Sequence, residues 1–404
     1  MLELNATQKT ILALLRHALG KNYEPIPDGV DWKAVISEAY QQAVPCLVCE
    51  SMSELGPDEE MKGLAEKQII QMFGVNAKAA YAAQQTDELM RKNGYKYAIL
   101  KGCAAASWYP KPECRMLGDV DFLIDSAQQR NVEAALEAAE YKRWDTKEHV
   151  CHVVFRKPGQ NLEMHFEIAG IPHGVQGERV RAYMKDALNE IDEASVLQAH
   201  VCVPKPKYHG LVLLLHMQHH MLGEGLGLRH LMDFGVFIDR TEKDEFWNTD
   251  LIPVLKEIGL FKYAKVMAKT SSMYFGTACP EWASDAEEDL CDAVMNDILA
   301  GGNFGRKNAD RARAGMMISE HGKEGTKHGK IYNLYHTLHE STPNYHPEIR
   351  NHKVLWFFAD CGRALKYLGY MMIGKRSSLA KMSNYSDERR SVYNRLNVFE
   401  TNNQ

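Results

Sequence analysis

The chain has 404 residues, of which 45% are hydrophobic and 25% are charged, and its formal net charge is −5. A chain of this length is expected to form more than one domain, and its composition is ordinary for a water-soluble globular protein. The negative net charge argues against an extended nucleic-acid surface, because no overall positive field attracts phosphates.

The cysteines and the apolar runs indicate a cytoplasmic protein with no membrane partner. Nine cysteines are spread thinly, and this odd number favours reduced thiols over a disulfide framework. Cys46 and Cys49 form one pair where a structural zinc site usually needs two, so we expect two buried helix cysteines. The N-terminal residues show no basic segment followed by an apolar run, which predicts no signal peptide. The longest apolar runs, such as residues 211–215, are too short to cross a membrane.

Residues 1–94 are predicted to form an N-terminal helical region. Apolar residues recur at helical spacing over 5–20, over 31–55 with an interruption near Pro45, and over 58–92. Asn93 and Gly94 end the last of these helices. We expect this region to pack on the domain that follows it.

Residues 95–175 are predicted to form a sheet core, because strands here alternate with helices. A short apolar strand stops at Lys101 and Gly102, and small residues at 103–107 suit a short helix packed close to the sheet. A proline-rich loop with Arg115 then leads to a strand at 118–124. For Arg115 we weigh a phosphate contact and a solvent-exposed loop position about equally.

The strand at 118–124 carries two carboxylates. Side chains alternate between the faces of a strand, so Asp119 and Asp121 share one face, and Val120, Phe122 and Ile124 point into a core. Neighbouring carboxylates repel each other unless a cation lies between them. Hard divalent cations such as Mg²⁺ favour these oxygen ligands. The strand therefore predicts one side of a metal site.

A later strand offers a third carboxylate. After a helix at 126–140 we expect strands at 141–144, 149–156 and 161–168, with a turn at Pro158 and Gly159. In the last strand Glu163, His165 and Glu167 alternate with apolar residues. A solvent-exposed strand face gives the same pattern. Two-metal phosphoryl chemistry, however, needs a further carboxylate on the same face of a neighbouring strand, and Glu163 meets this need.

Residues 176–300 are predicted to form a helical domain, with a helix at 182–197, an extended segment at 201–204 and long helices from Tyr208 and Leu228 onward. His216 and His220 are four residues apart and share a helix face. Met217 occupies the position where a zinc-protease motif needs Glu, so histidines that line a pocket are favoured over metal ligands. Arg229 and Asp233 are also four apart, and an ordinary intrahelical ion pair is the alternative to a role in a site.

The C-terminal part gives weaker signals. Residues 301–330 are rich in Gly, Lys and Arg and are predicted to be a mobile loop, whose basic residues either screen phosphates or are merely solvated. Residues 331–404 are expected to hold two helices, near 331–339 and 354–370, and a polar tail from Ser377 onward that frays.

These motifs, in this order, resemble the uncharacterised nucleotidyltransferase family of the DNA polymerase β-like superfamily. The resemblance rests on Lys101-Gly102, Arg115, the Asp-x-Asp strand and the later Glu163-Met164-His165. The helix at Trp32, the histidine and Arg229…Asp233 elements and residues 302–305 also fit the family's layout. The resemblance to this family implies an α+β fold with a mixed sheet, flanked by N-terminal and C-terminal helical regions.

The same resemblance implies an activity. A nucleoside monophosphate would move from an NTP, with ATP expected first, to a hydroxyl of a small-molecule or protein acceptor. Two Mg²⁺ ions, with Mn²⁺ as a substitute, would be held by the catalytic residues Asp119, Asp121 and Glu163. The residues implied in substrate binding are Lys101, Gly102, Arg115, His165, His216, His220, Arg229 and Asp233.

Two other hypotheses stay open at this point. Lys101-Gly102 stands where the superfamily has a Gly-Ser or Gly-Gly turn, which supports a non-catalytic binding or regulatory protein on a degenerate nucleotidyltransferase scaffold. A weaker alternative is a metal phosphohydrolase that uses the helices of His216 and Asp233, and it would require a transition metal bound there.

Overall fold

The structure is a computed structural model that describes residues 2–144, 151–241, 243–318, 329–349, 352–373 and 379–401. The N-terminal part is helical, as predicted, with α1 (Ala6–Ala18), α2 (Trp32–Gln41), α3 (Pro45–Leu55) and α4 (Glu59–Lys92). Side chains cap the first turns of α1, α2 and α4. Asn5 accepts a hydrogen bond from the Gln8 amide at 2.9 Å, and Asp58 accepts one from the Met61 amide at 2.9 Å.

The sheet region follows. Its elements are β1 (Tyr97–Ile99), α5 (Gly102–Ala106), β2 (Val120–Ile124), α6 (Gln129–Ala138), β3 (Lys142–Arg143), β4 (His152–Lys157) and β5 (Gln160–His165). The strand order is β1-β2-β5-β4-β3. The central strands β2 and β5 run parallel, and the other neighbours are antiparallel, so the sheet is mixed. The predicted α+β class with a mixed sheet is confirmed.

The pairing of β2 with β5 positions the polar side chains. Asp121 lies directly opposite Glu163, and Leu123 lies opposite His165. Because paired residues project to the same side of a sheet, Asp121, Glu163 and His165 share one face. The opposite face of β2 is buried, since Val120, Phe122 and Ile124 are at most 5% exposed. The predicted core face is therefore confirmed.

The rest of the chain is mainly helical. It contains α7 (Val175–Met184), β6 (Ile191–Val196), β7 (Ala199–Pro204), α8 (Pro206–Leu222), α9 (Leu228–Arg240), α10 (Asp244–Phe246), α11 (Ile252–Ile258), α12 (Phe261–Phe275), α13 (Glu288–Gly301), α14 (Ala309–Ala314), α15 (Lys330–Tyr345), α16 (Lys353–Met372) and α17 (Leu379–Leu396). Helices α1 to α3 share one hydrophobic core with α8, α9 and α12, whereas the sheet and the hairpin β6–β7 form a second core with α4. Among the described residues, no helix is long and apolar enough to cross a membrane.

The helix predicted at 182–197 is wrong over most of its length. Helix α7 ends at Met184, and 191–196 is strand β6 of a hairpin. Ala194 and Val196 are buried while Glu193 and Ser195 are exposed, which is the two-residue period of a strand. Leu197 in the turn has a φ of +53°, a left-handed conformation that glycine usually occupies, so the turn lacks the usual sequence signal of a hairpin.

The loop predicted at 301–330 is largely helical where the structure describes it. Residues 303–305 and 315–317 form single helical turns around α14, whose first amides, including that of Arg311 at 3.0 Å, donate to the Asn308 side chain. Arg311 is 8% exposed and pairs with Asp297 and, at 2.7 Å, with Glu388. These ion pairs hold the segment against the protein. Residues 319–328 lie outside the described residues.

The C-terminal tail does not fray as predicted. Helix α17 is packed, with Met382, Arg389 and Leu396 at most 5% exposed. Arg389 donates to the carbonyls of Gly223 and Arg311, each at 3.1 Å, which ties the helix to the end of α8 and to α14. Residues 149–150 of the predicted strand and 377–378 of the tail lie outside the described part of the chain.

Candidate active site

A cavity of about 410 Å³ lies between the polar face of the sheet and the helices α8 and α9. The loop before β2 and residues 303–306 close its sides. Most of the site residues predicted from the sequence line this cavity, namely Lys101, Gly102, Arg115, Asp119, Asp121, Glu163, His216, His220, Arg229 and Asp233. His165 does not line it, because its side chain is 2% exposed and lies beneath the carboxylates. The structure therefore brings residues from distant parts of the sequence to one place.

Asp121 is at the centre of the carboxylate group. Lys101 Nζ lies 2.7 Å and His165 Nε2 lies 2.9 Å from Asp121 Oδ1. Burial would raise the pKa of Asp121, but the charge of Lys101 and the hydrogen bond from His165 outweigh burial and hold this pKa well below its ordinary value. Asp121 is therefore ionised at neutral pH.

His165 is a hydrogen-bond partner of Asp121. Burial lowers its pKa, but the hydrogen bond to Asp121, helped by Cys151, outweighs burial and raises the pKa to about 10. Although the ligand atoms of Asp121, Glu163 and His165 all lie within 4.8 Å of one another, we take His165 as the residue that orients and neutralises Asp121.

Asp119 carries the least compensated charge of the group. Burial raises its pKa, a hydrogen bond from Asn161 Nδ2 at 3.2 Å opposes this, and the charges of Glu163 and Asp121 raise it further. Repulsion of this kind is relieved by a cation between the carboxylates. The oxygen donors of Asp119, Asp121 and Glu163 thus fit a hard divalent ion such as Mg²⁺.

Lys101 is held in a strained backbone conformation at the start of α5. Its φ is +47° and its ψ is −114°, which is rare for a residue with a side chain. This conformation accompanies the placement of the Lys101 ammonium on Asp121. The resemblance implied Lys101 in substrate binding, and in the structure its charge is paired with the Asp121 carboxylate.

Arg115 and Asp233 form a buried ion pair that spacing did not predict. Arg115 Nε donates to Asp233 Oδ1 at 3.1 Å, Nη2 contacts Oδ2, and both residues are at most 4% exposed. Tyr109 also donates to Asp233, at 2.8 Å. The solvent-exposed position weighed for Arg115 is wrong, whereas its phosphate contact stays a prediction, because Arg115 lines the cavity. Asp233 pairs with Arg115 rather than with Arg229. The pair joins the loop before β2 to α9 across the side of the cavity.

His216 and His220 meet a third histidine that the sequence analysis missed. His230 from α9 lies with its ring centroid 5.3 Å from that of His216 and 5.5 Å from that of His220. Burial, the largest cause, lowers the pKa of all three imidazoles, in His220 to about 3, so they are neutral. The only sequence signal for His230 was its place next to Arg229 at the start of the helix.

The histidine cluster has ligand atoms close enough for a metal, within 4.8 Å of one another. The Gly227 amide, however, donates to His230 Nδ1 at 3.3 Å, so the proton of this neutral ring is on Nε2. A metal on Nε2 would have to displace that proton, and the ring could then no longer accept the Gly227 amide unless it became an anion. This hydrogen bond argues against the phosphohydrolase hypothesis, which needs a transition metal on these helices.

Comparison with known proteins places the chain in a family. The model of a family described as uncharacterised nucleotidyltransferase matches residues 28–276, which is more than half of the chain. The comparison with curated proteins found no match. Among solved structures, an antigenic nucleotidyltransferase-like protein from Paracoccidioides brasiliensis is 14% identical, covers 53% of this chain and 97% of its own, and has a TM-score of 0.30, too low to carry an argument. The matched range contains the whole sheet, α8, α9 and every predicted site residue. The chain belongs to the uncharacterised nucleotidyltransferase family.

Proposed function

We propose that this protein is a Mg²⁺-dependent nucleotidyltransferase that moves a nucleoside monophosphate from an NTP, with ATP as the first candidate, to a hydroxyl of a small-molecule or protein acceptor. The observation that carries the proposal is the in-register parallel pairing of β2 with β5, which sets Asp121 opposite Glu163 beside Asp119 at the wall of a cavity. Membership of a nucleotidyltransferase family supports the general reaction class.

Each residue of the carboxylate group has a role in this reaction. Asp119, Asp121 and Glu163 would hold two Mg²⁺ ions, or Mn²⁺ in their place. When bound, such ions neutralise the triphosphate and stabilise the charge on the departing pyrophosphate. Lys101 and His165 keep Asp121 ionised and fixed in orientation.

The transfer itself forms one bond and breaks another. The acceptor oxygen bonds to the α-phosphorus, the bond from this phosphorus to pyrophosphate breaks, and the hydroxyl proton must leave. Because Asp121 already receives two donors, Asp119 and Glu163 are the carboxylates that are left to take this proton.

We further propose a cytoplasmic location, because all nine cysteines are free thiols. Thiols that are free and mostly buried suit a reducing compartment.

Isothermal titration with Mg·ATP and the other NTPs tests the proposal. The wild type should bind one or more of them only when Mg²⁺ is present, and Asp119→Asn/Asp121→Asn should weaken binding at least about tenfold, equivalent to about 1.4 kcal/mol. The matched control is Asp125→Asn, which keeps the capping oxygen on Ala127 and lies outside the cavity. The proposal is wrong if the wild type binds no nucleotide, or if the double substitution leaves the affinity for the nucleotide unchanged.

One observation favours a second candidate function, a non-catalytic binding or regulatory protein on the same scaffold. Lys101 and His165 already supply Asp121 with positive partners from within the protein. On that alternative the site needs no metal, and the titration would show ligand binding that EDTA does not affect.

A further inference from the structure

The cavity has two ends of different charge. The sheet end carries Asp119, Asp121 and Glu163, and the helical end carries Arg229, His230 and Arg306. We propose that the helical end is an anion-binding subsite that takes a phosphate group through Arg229 and His230. This inference goes beyond the proposed function, because it requires neither a metal nor transfer chemistry.

Arg229 has no side-chain partner among the residues that the structure describes. Two other cations that line the cavity are paired, Lys101 with Asp121 and Arg115 with Asp233. For Arg229 the described residues provide no ion pair and no side-chain hydrogen bond, and its Nε is buried without a partner. Asp233, one helical turn away, is already neutralised by Arg115. Arg229 is partly buried, and a buried N–H of a charged group that lacks an acceptor is costly, so a bound anion that accepts from it removes that cost.

His230 adds a second donor without a partner. It is 3% exposed, it lines the cavity, and its Nε2 finds no acceptor in the described structure. Since Nδ1 accepts the Gly227 amide at 3.3 Å, Nε2 carries the proton and must donate. Arg229 and His230 both line this cavity, and the charge of Arg229 lies close enough to His230 to add to burial in lowering the pKa of its imidazole.

Residues 303–306 complete this end of the cavity. Phe304 packs on His220 and His230 with ring centroids 4.6 and 5.4 Å away, and Arg306 brings a second guanidinium to the mouth of the cavity. Arg306 Nη1 donates to the Tyr40 carbonyl at 3.2 Å, and no described carboxylate pairs with it. Residues 303–306 pack closely against the start of α9. A Cβ atom added at Gly227 would lie only 2.7 Å from Asn303 Cβ, so a larger residue at 227 would clash with Asn303.

The chemistry of this end matches a phosphate. A tetrahedral oxyanion can accept from two guanidinium groups and an imidazole N–H at once, and charge-assisted hydrogen bonds to guanidinium are among the strong ones. Asn303, 1% exposed with Oδ1 unpartnered, adds an amide that can accept from a hydroxyl next to the phosphate. The phosphate can belong to the NTP or to a phosphorylated acceptor, and both sources present the same group.

The test is titration of the full chain with inorganic phosphate and with pyrophosphate, in EDTA so that no metal contributes. The wild type should bind at least one of them, Arg229→Gln should weaken binding at least tenfold, and Arg229→Lys should restore part of it because the charge returns. Asp121→Asn should leave binding intact or strengthen it, since it removes a negative charge from the cavity.

The matched control is Arg240→Gln, on the same helix but outside the cavity, where Nε donates to the Trp108 carbonyl. It should bind phosphate as the wild type does. If neither anion binds the wild type, or if Arg229→Gln binds as tightly as Arg240→Gln, the inference is overturned.

A final arm identifies the source of the phosphate. If saturating Mg·ATP displaces the bound anion, the subsite holds the polyphosphate of the nucleotide. If both bind together, the subsite holds a phosphorylated acceptor. Should Mg·ATP fail to bind at all, the proposed function fails while the metal-free phosphate result stands, so the two failures are distinguishable.

Discussion

At the scale of single residues, Asp121 holds the candidate site together, because Lys101 Nζ and His165 Nε2 both contact its Oδ1. Alternation predicted that Asp119 and Asp121 share a strand face, and Glu163 was expected as a third carboxylate on a neighbouring strand. The strand register sets Asp121 opposite Glu163. The ion pair of Arg115 with Asp233 could not be predicted, because 118 residues separate the two and helical spacing favoured Arg229 as the partner. His230 was missed because a single histidine beside an arginine gives no pattern.

The buried Arg115–Asp233 pair leads to a stability prediction. Asp233→Asn removes the charge that compensates Arg115, so we expect a loss of about 3–5 kcal/mol in the free energy of unfolding, measured by urea denaturation. The double variant Arg115→Met/Asp233→Leu removes both charges and should lose much less. Exposed Asp192 provides the control, and Asp192→Asn should change stability by under about 0.5 kcal/mol. A single variant as stable as the double one would contradict this account.

At the scale of elements, hydrophobic periodicity predicted most helices and the two strands that carry the site. The elements that were predicted wrongly depend on contacts between residues far apart in the chain. Strand β6 was taken for a helix because its buried face holds only Ala194 and Val196, and its pairing with β7 supplies the rest. Helix α17 was not predicted, for a related reason. Its buried stripe includes Ser386 and Arg389, which no hydrophobic pattern reveals.

Helix α17 allows a matched comparison of one substitution at two positions. Leu396 is 1% exposed and packs in the helical core, while Leu379 at the start of the same helix is 38% exposed. We expect Leu396→Ala to lower the free energy of unfolding by about 2–5 kcal/mol, because it leaves a cavity. Leu379→Ala should cost under about 0.5 kcal/mol. Chemical denaturation of both variants checks this, and equal small losses would mean that the tail is not packed.

At the scale of the whole molecule, net charge gave no hint of the internal arrangement. The chain carries −5 overall, yet its cavity has the carboxylates Asp119, Asp121 and Glu163 on its sheet side and the guanidinium groups of Arg229 and Arg306 on another side. This separation depends on how the sheet core and the helical core meet, and the sequence predicted the two bodies without their relative placement. A triphosphate substrate needs both ends, with metal-binding oxygens on one side and phosphate donors on the other.

The central claim, nucleotidyl transfer at Asp119, Asp121 and Glu163, is tested most directly with ATP labelled at either the α- or the γ-phosphorus. The wild type is incubated with each label, Mg²⁺ and a cell extract, and labelled products are separated. The account predicts transfer of the α-label only, abolished by EDTA and by Asp119→Asn/Asp121→Asn, with Asp125→Asn unchanged. Transfer of the γ-label, or α-label transfer that the double substitution leaves intact, would contradict it.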